Sequence, residues 1–288
     1  MHWHEIRDPQ SPELDRLAER YRLHPLHIED CRHRNESAKV EESRGYLFAV
    51  LKVISLEKDG SVGESDLDIF LGRDFLITVE EEHCQPARQL LEQVRGAASG
   101  LRADQAFYRI TDGVVDSYLP VLDHFSEVID ELEDQVLDRP TPETLGRIFE
   151  TKRALIQLRR VLVNTRDVAG HLQRSESELI HREMWPFLRD IYDHVSRNLD
   201  LVEMQRDLLT GSLDIYLSSV ANRTNQVMKV LTVLGTIALP ALVISGMYGM
   251  NLKGLPWTDS PHGAAIVGGL MAATTAILLA VLRLMRWF

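Results

Sequence analysis

The sequence predicts an α+β protein in which an N-terminal α/β domain is followed by a long helical stalk, and the stalk continues into the first of two C-terminal transmembrane helices. Three observations predict this. β-type runs stop before about residue 104, one helical pattern continues from Pro186 towards Gly249, and two long uncharged stretches close the sequence. The expected domains are 1–104 (α/β, short at its N-terminus), 105–228 (helical domain and stalk) and 229–288 (membrane).

The two uncharged stretches are each long enough to cross a bilayer. Residues 230–250 contain 21 residues without a charge, and residues 263–282 contain 20, whereas a helix needs roughly 20 residues to span the hydrocarbon core. A loop, residues 251–262, joins them. The alternative is a pair of buried core helices, but both stretches are apolar around their whole circumference. Two transmembrane helices are therefore predicted.

The distribution of charge sets the expected orientation and excludes one class of partner. Arg223 and Lys229 precede the first span, while Arg283 and Arg286 follow the second, so both ends are expected on the cytoplasmic side of a plasma (inner) membrane. Residues 229–288 carry a net charge of +3 and the rest of the chain −14. This acidity argues against nucleic acid as a partner and is compatible with cations. No signal peptide is expected, because the first residues contain no apolar run.

Several secondary-structure elements are predicted from periodicity and turn residues. The strands are Tyr46–Ile54, Leu67–Leu71 and Phe75–Val79; the helices are Pro12–Arg22, Pro86–Val94, Phe107–Val136, a helix capped by Thr141-Pro142 that runs towards Gln173, and Pro186–Gly249. The last helix has about 64 residues and a length of roughly 95 Å. Its apolar stripe needs partner helices, so we expect an oligomer.

One face of the last predicted helix, which includes the first span, carries polar, apolar and small residues in steps of mostly three and four: Asn225, Met228, Leu231, Thr232, Gly235, Leu239, Leu242 and Gly246. Small or mildly polar residues on such a face are typical of helix packing. The alternative is a narrow pore with a polar ring, hydroxyl groups and apolar constrictions. Residue spacing alone leaves both interpretations open.

The end of the same helix has the chemistry of a cation site. Gly249 lets the chain leave the helix, Met250 follows, and Asn251 offers an amide oxygen, which is a hard neutral ligand suited to Mg²⁺. The helix C-terminus also presents unpaired carbonyl oxygens at the negative end of the dipole. The alternative is an ordinary helix stop.

These motifs together make the sequence similar to the CorA family of divalent metal ion transporters. The resemblance rests on residues 248–251 (YGMN), 218–240, 186–194, 110–123, 68–79, 39–53 and 23–30. It implies a homopentameric funnel that takes up Mg²⁺, with Co²⁺ and Ni²⁺ as further substrates. Mg²⁺ is then both the substrate and the regulatory ligand.

The resemblance also implies roles for particular residues. Asn251, in the motif formed with Gly249 and Met250, is the expected outer selectivity position, and Asn225, Met228, Leu231 and Leu239 are expected to line the pore, beside Thr232. The expected Mg²⁺-sensing pairs between subunits are Asp30 with Asp190 and Glu29 with Asp112. Bridging of facing carboxylates by Mg²⁺ is expected to hold the pore closed.

Two departures from the family pattern keep alternatives open. The outer loop has Lys253 and only Asp259 as an acid, and the chain ends with only Arg283 and Arg286 as basic residues. A Zn²⁺ transporter on the same scaffold is therefore the first alternative. The second is a non-transporting, membrane-anchored coiled-coil scaffold.

Enzymatic activity is not expected, because the sequence contains no P-loop, Rossmann fingerprint or HExxH-type site. Three short pairs have spacings that permit metal contact: His2 with His4, Cys31 with His33, and His181 with Glu183. Isolated pairs of this kind are expected to be surface residues.

Overall fold

The computed structural model describes residues 1–33, 37–57, 60–81, 84–97, 100–175, 177–250, 255–257 and 260–284. It divides into two compact units, Met1–Asp214 and Ile215–Phe288.

The first unit contains a five-stranded mixed sheet. Its strands are β1 (His2–Ile6), β2 (Lys39–Ser43), β3 (Tyr46–Leu56), β4 (Val62–Gly72) and β5 (Phe75–Glu80), in the order β1-β5-β4-β3-β2. β1 is parallel to β5 and all other neighbours are antiparallel. The three predicted strands are confirmed as β3, β4 and β5, and β4 begins earlier than predicted, at Val62.

Helices cover both faces of this sheet, which explains why the sequence of β3 is apolar at nearly every position. The short helices α1 (Pro12–Tyr21) and α2 (Pro25–Arg32) share a core with alternate strand residues such as Phe48 and Phe70. The intervening β3 residues are buried too, and four later helices contact β3. Burial on both faces removes the need for polar–apolar alternation.

The remaining helices are α3 (Gln85–Gly96), α4 (Ala103–Asp116), α5 (Tyr118–Asp138), α6 (Pro142–Arg174), α7 (Trp185–Gly249) and α8 (Gly263–Leu284), with a short 3₁₀ turn at Arg182–Met184. The predicted cap of α6 is confirmed. The Thr141 hydroxyl accepts a hydrogen bond from the Thr144 amide at 3.2 Å, and Pro142 occupies the first turn, where its missing N–H costs nothing.

The prediction of one helix from Phe107 to Val136 was wrong. The chain forms two helices, α4 and α5, that meet at Ser117. Pro120 lies in the first turn of α5 and has no amide hydrogen to donate to the preceding turn. The Ser117 hydroxyl instead donates to the Val114 carbonyl at 2.6 Å, which satisfies one of the last acceptors of α4.

α7 is a single helix of 65 residues that includes Pro240, as predicted. α7 and α8 are both long and apolar enough to cross a membrane, with mean hydropathies of 2.2 and 2.3 over their most apolar windows. In the second unit the half-buried residues of α7 recur at positions such as Val233, Ile237, Ile244 and Tyr248. They define one face of the helix, and the opposite face is exposed in the single chain.

A buried ionic network lies on the sheet of the first unit. Lys52 is 3% exposed and contacts Asp66 and, at 3.3 Å, Glu64. Asp68, two residues further along β4, is also buried and forms a hydrogen bond with the Cys31 thiol. Burial, followed by the negative charge of Asp66, raises the pKa of Asp68 to about 8. Folding therefore takes up a proton at this carboxyl group.

This protonation predicts a pH-dependent stability. The carboxyl group of Asp68 ionises near pH 4 in the unfolded chain but only near pH 8 in the folded chain, so its contribution to stability decreases as the pH rises through that window. We expect Asp68→Asn to match the wild type near about pH 4 and to melt several degrees higher near about pH 9.

The measurement is thermal unfolding of the full chain in detergent, followed by near-UV circular dichroism across this pH range. Asp123→Asn, at an exposed position of α5, is the matched control and should follow the wild-type curve. Parallel curves for the wild type and Asp68→Asn would contradict the prediction.

Candidate ion-binding sites

Two helices of the first unit bring an acidic cluster together. Asp112 and Asp116 lie one turn apart on α4, and His194 faces them from α7. One ligand atom from each residue lies within 4.8 Å of the others, the only such group of three metal-binding side chains among the described residues. The His194 Nδ1 atom is 3.8 Å from an Asp116 carboxylate oxygen. We call Asp112, Asp116 and His194 the α4–α7 cluster.

Asp190 lies at the edge of this cluster. It precedes His194 by one helical turn, and its carboxylate oxygen is 3.7 Å from the His194 Nε2 atom. The structure therefore places two predicted regulatory residues, Asp112 and Asp190, near one another. Asp116 and His194 were not selected from the sequence, although each follows a selected residue by four positions, which puts the two side chains on one face of a helix.

The charges in the α4–α7 cluster repel one another. Burial, followed by the negative charge of Asp116, raises the pKa of Asp112, although a hydrogen bond from Tyr108 opposes the shift. Burial, followed by the charge of Asp112, raises the pKa of Tyr108 to about 12. A divalent cation would relieve this repulsion. Two carboxylates with an imidazole suit Co²⁺ or Zn²⁺, while oxygen ligands alone would favour Mg²⁺.

The other two predicted regulatory residues lie on α2. Glu29 is exposed, and Asp30 is half-buried next to it. The Asp30 carboxylate accepts a hydrogen bond from the Lys39 ammonium group at 2.8 Å. Among the described residues, no ion pair joins either carboxylate to the α4–α7 cluster. Neither Glu29 nor Asp30 belongs to the one group of three metal-binding side chains found in the described part of the chain.

The predicted pore residues share the exposed face of α7. Asn225, Met228, Leu231, Thr232 and Leu239 are all exposed in the single chain, with Leu231 at 63% and Leu239 at 62%. The Thr232 hydroxyl donates to the Met228 carbonyl at 2.8 Å and is thereby satisfied within the helix. Residues 221–232 are exposed all around the helix, so exposure separates the two faces only from Val233 onward, where Leu239 lies opposite half-buried residues such as Ile237.

The end of α7 is only partly described. The helix ends at Gly249, and the exposed Met250 donates its amide hydrogen to the Met247 carbonyl at 3.3 Å. Asn251 lies outside the described residues, as do Lys253, Asp259 and Arg286. Their expected roles stay predictions.

The three short pairs have partners within the protein. The His4 Nε2 atom hydrogen bonds with the Tyr21 hydroxyl at 3.1 Å, and the His181 Nδ1 atom with Asp104 at 2.8 Å. The expectation of a surface pair was wrong for Cys31, which is buried, because the apolar side of α2 packs on the sheet. None of these pairs belongs to the one three-residue metal-binding group found in the described part of the chain.

Comparison with known proteins agrees with this architecture. The solved CorA magnesium transporter of Methanocaldococcus jannaschii has a TM-score of 0.84 at 25% identity, covering 98% of this chain and 89% of that chain. The full-length CmaX protein has a TM-score of 0.80 at 20% identity, covering 99% and 88%, which supports the fold alone.

Sequence comparison is more specific. The cobalt/magnesium transport protein CorA of Thermotoga maritima is 36% identical over 278 residues, which cover 95% of this chain and 79% of that protein. The sequence profile described as CorA-like Mg²⁺ transporter protein matches residues 1–284. Because this match spans nearly the whole sequence, the chain belongs to the family of CorA-like Mg²⁺ transporter proteins.

Proposed function

We propose that this chain is the subunit of a divalent cation channel that admits Mg²⁺, and also Co²⁺ and Ni²⁺, across the inner membrane. The observation that carries the proposal is the exposed face of α7 within a family of Mg²⁺ transporters. A surface that contacts lipid is usually apolar, and a surface that contacts water is usually polar. The exposed face of α7 combines an amide, a hydroxyl and large apolar side chains, so it matches neither environment by itself. It suits contact with the same helix of neighbouring copies around a narrow aqueous path.

The proposed assembly is a homopentamer with both chain ends in the cytoplasm. Copies of α7 surround the path, with the Asn225 amides as a polar ring and with Met228, Leu231 and Leu239 as apolar constrictions. The Asn251 amides and the nearby helix ends attract the hydrated cation at the outer mouth. Uptake needs no other energy source, since a divalent ion gains about 4.6 kcal/mol per 100 mV of inside-negative potential.

Cytoplasmic Mg²⁺ is proposed to regulate this path through the two carboxylate groups. Glu29 and Asp30 on α2 of one copy face Asp112 and Asp190 of the next. When Mg²⁺ is scarce, repulsion between these carboxylates loosens the contact between neighbouring subunits. When Mg²⁺ binds, it bridges the carboxylates and holds the pore closed.

One observation favours a second candidate, transport of Zn²⁺ on the same scaffold. His194 adds a nitrogen ligand to the α4–α7 cluster, and imidazole favours Zn²⁺ and Co²⁺ over Mg²⁺. The third candidate, a membrane-anchored scaffold without transport, is distinguished by the absence of cation flux.

The pore assignment predicts a difference between two neighbouring amide side chains on one helix. Asn225 lies on the proposed pore face, and Gln226 is equally exposed but about 100° around the helix from it. We expect Asn225→Ala to change the initial rate of Mg²⁺ uptake about threefold or more, because it alters a polar ring in the path. Gln226→Ala should keep the wild-type rate.

The assay uses the purified chain in liposomes that contain a Mg²⁺-sensitive dye, with an imposed potential and cobalt hexaammine as the blocker. Flux of Zn²⁺ but not Mg²⁺ would favour the second candidate, and no flux of either ion the third. Equal effects of the two alanine variants would contradict the pore assignment.

The regulatory proposal predicts a loss of protection by Mg²⁺. Millimolar Mg²⁺ should slow proteolysis of the wild-type assembly, because bridged carboxylates restrain its subunits. Asp30→Asn with Asp190→Asn should remove most of this effect, while Asp123→Asn, which is exposed on α5, should retain it. The measurement is the half-life of the full chain under limited proteolysis, and unchanged protection in the double variant would refute the role.

The α4–α7 cluster predicts metal selectivity at the regulatory position. The exchange of His194 for glutamine removes the imidazole nitrogen ligand and leaves the negative charges of Asp112 and Asp116 unchanged. We expect His194→Gln to weaken protection by Co²⁺ about tenfold or more and protection by Mg²⁺ by much less. His171→Gln, on α6, is the control, and equal losses for both metals would show that His194 is not a metal ligand.

A further inference from the structure

Lys39 holds one of the proposed regulatory carboxylates in the single chain. It is the first residue of β2, and its backbone is fixed by pairing with Val50 of β3. Its ammonium nitrogen lies 2.8 Å from an Asp30 carboxylate oxygen. The ion pair therefore joins the end of α2 to the edge of the sheet.

The same ammonium group has a second acceptor. It lies 3.2 Å from one carboxylate oxygen of Glu41, and the other Glu41 oxygen is 3.1 Å from the His27 Nε2 atom. His27 in turn stacks on Phe48 with a centroid separation of 4.5 Å. Glu41 is thus held in place independently of Asp30, and it offers the ammonium group another position.

The charges of this group are maintained at neutral pH. Burial opposes the charge on Lys39, but hydrogen bonds with Asp30 and Glu41 outweigh it and raise the pKa of Lys39. Burial likewise opposes the charge on Glu41, but hydrogen bonds from His27 and Lys39 lower the pKa of Glu41. A charged ammonium group therefore faces Asp30 throughout the physiological range.

We propose that Lys39 is a built-in competitor of the divalent cation at Asp30, and this inference rests on the proposed role of Asp30 as a Mg²⁺ ligand. At a low cytoplasmic Mg²⁺ concentration, the Lys39 ammonium group forms an ion pair with the Asp30 carboxylate. When Mg²⁺ binds Asp30, the ammonium group keeps its contact with Glu41. Lys39 thereby sets the Mg²⁺ concentration at which the regulatory site fills.

The physical basis is competition for one anion. A carboxylate that already contacts an ammonium group attracts Mg²⁺ less, both because an oxygen is occupied and because a positive charge lies beside the site. The Lys39 and Asp30 side chains are 29% and 21% exposed, so solvent moderates the interaction without removing it. We expect its loss to tighten Mg²⁺ binding about three- to tenfold.

The experiment is a Mg²⁺ titration of protease protection on the full-length assembly in detergent. Lys39→Met keeps most of the aliphatic stem and removes the charge, so its midpoint should fall about three- to tenfold below the wild type. Lys39→Arg keeps the charge and should keep a midpoint near that of the wild type. Lys152→Met, in the first half of α6, is the matched control and should leave the midpoint unchanged.

The outcomes separate this inference from the proposed function. Suppose that Asp30→Asn abolishes the Mg²⁺-dependent protease protection, but Lys39→Met has a wild-type or higher Mg²⁺ midpoint. Lys39 then does not compete with Mg²⁺ for Asp30, and the inference is overturned. If Asp30→Asn keeps the wild-type midpoint, the regulatory role of Asp30 fails, and the inference with it. Near-UV circular dichroism checks that Lys39→Met is folded, and Lys39→Gln replaces it if it is not.

Discussion

The continuity of α7 is the constraint on which the rest of the structure depends. One uninterrupted helix carries Asp190 and His194 near its start and the exposed row from Asn225 to Leu239 towards its end. Main-chain hydrogen bonds join each turn of the helix to the next. The α4–α7 cluster and the proposed pore face therefore draw residues from the same continuous helix.

Residues 1–228 must also accommodate a large excess of negative charge, and they do so in three ways. Lys52 compensates Asp66 within the sheet. Asp68 is buried beside the Cys31 thiol, and its raised pKa keeps it protonated at neutral pH. The α4–α7 cluster keeps Asp112 and Asp116 beside one another. Of these three arrangements, the last is the one that brings together potential ligands for a divalent cation.

The accuracy of the sequence predictions followed the strength of the local signals. Long periodic helices such as α6 and α7 were predicted with their starts nearly correct, because proline and capping residues mark them. α2 and β2 were not predicted, since α2 has only eight residues and β2 is a polar edge strand. The separation of α4 from α5 was missed because the apolar spacing continues through Ser117 in spite of Pro120.

The sequence by itself determined the two apolar spans, the uninterrupted α7 and, through its motifs, the family, because these depend on composition and on neighbours along the chain. Only the tertiary structure decided that Asp116 and His194 accompany Asp112 and Asp190, and that Lys39 contacts Asp30. Such groupings depend on how separate helices and strands pack, since residues 78 positions apart, such as Asp116 and His194, meet only when α4 and α7 are folded together. Local sequence patterns do not show which residues that are far apart along the chain lie close together in the fold.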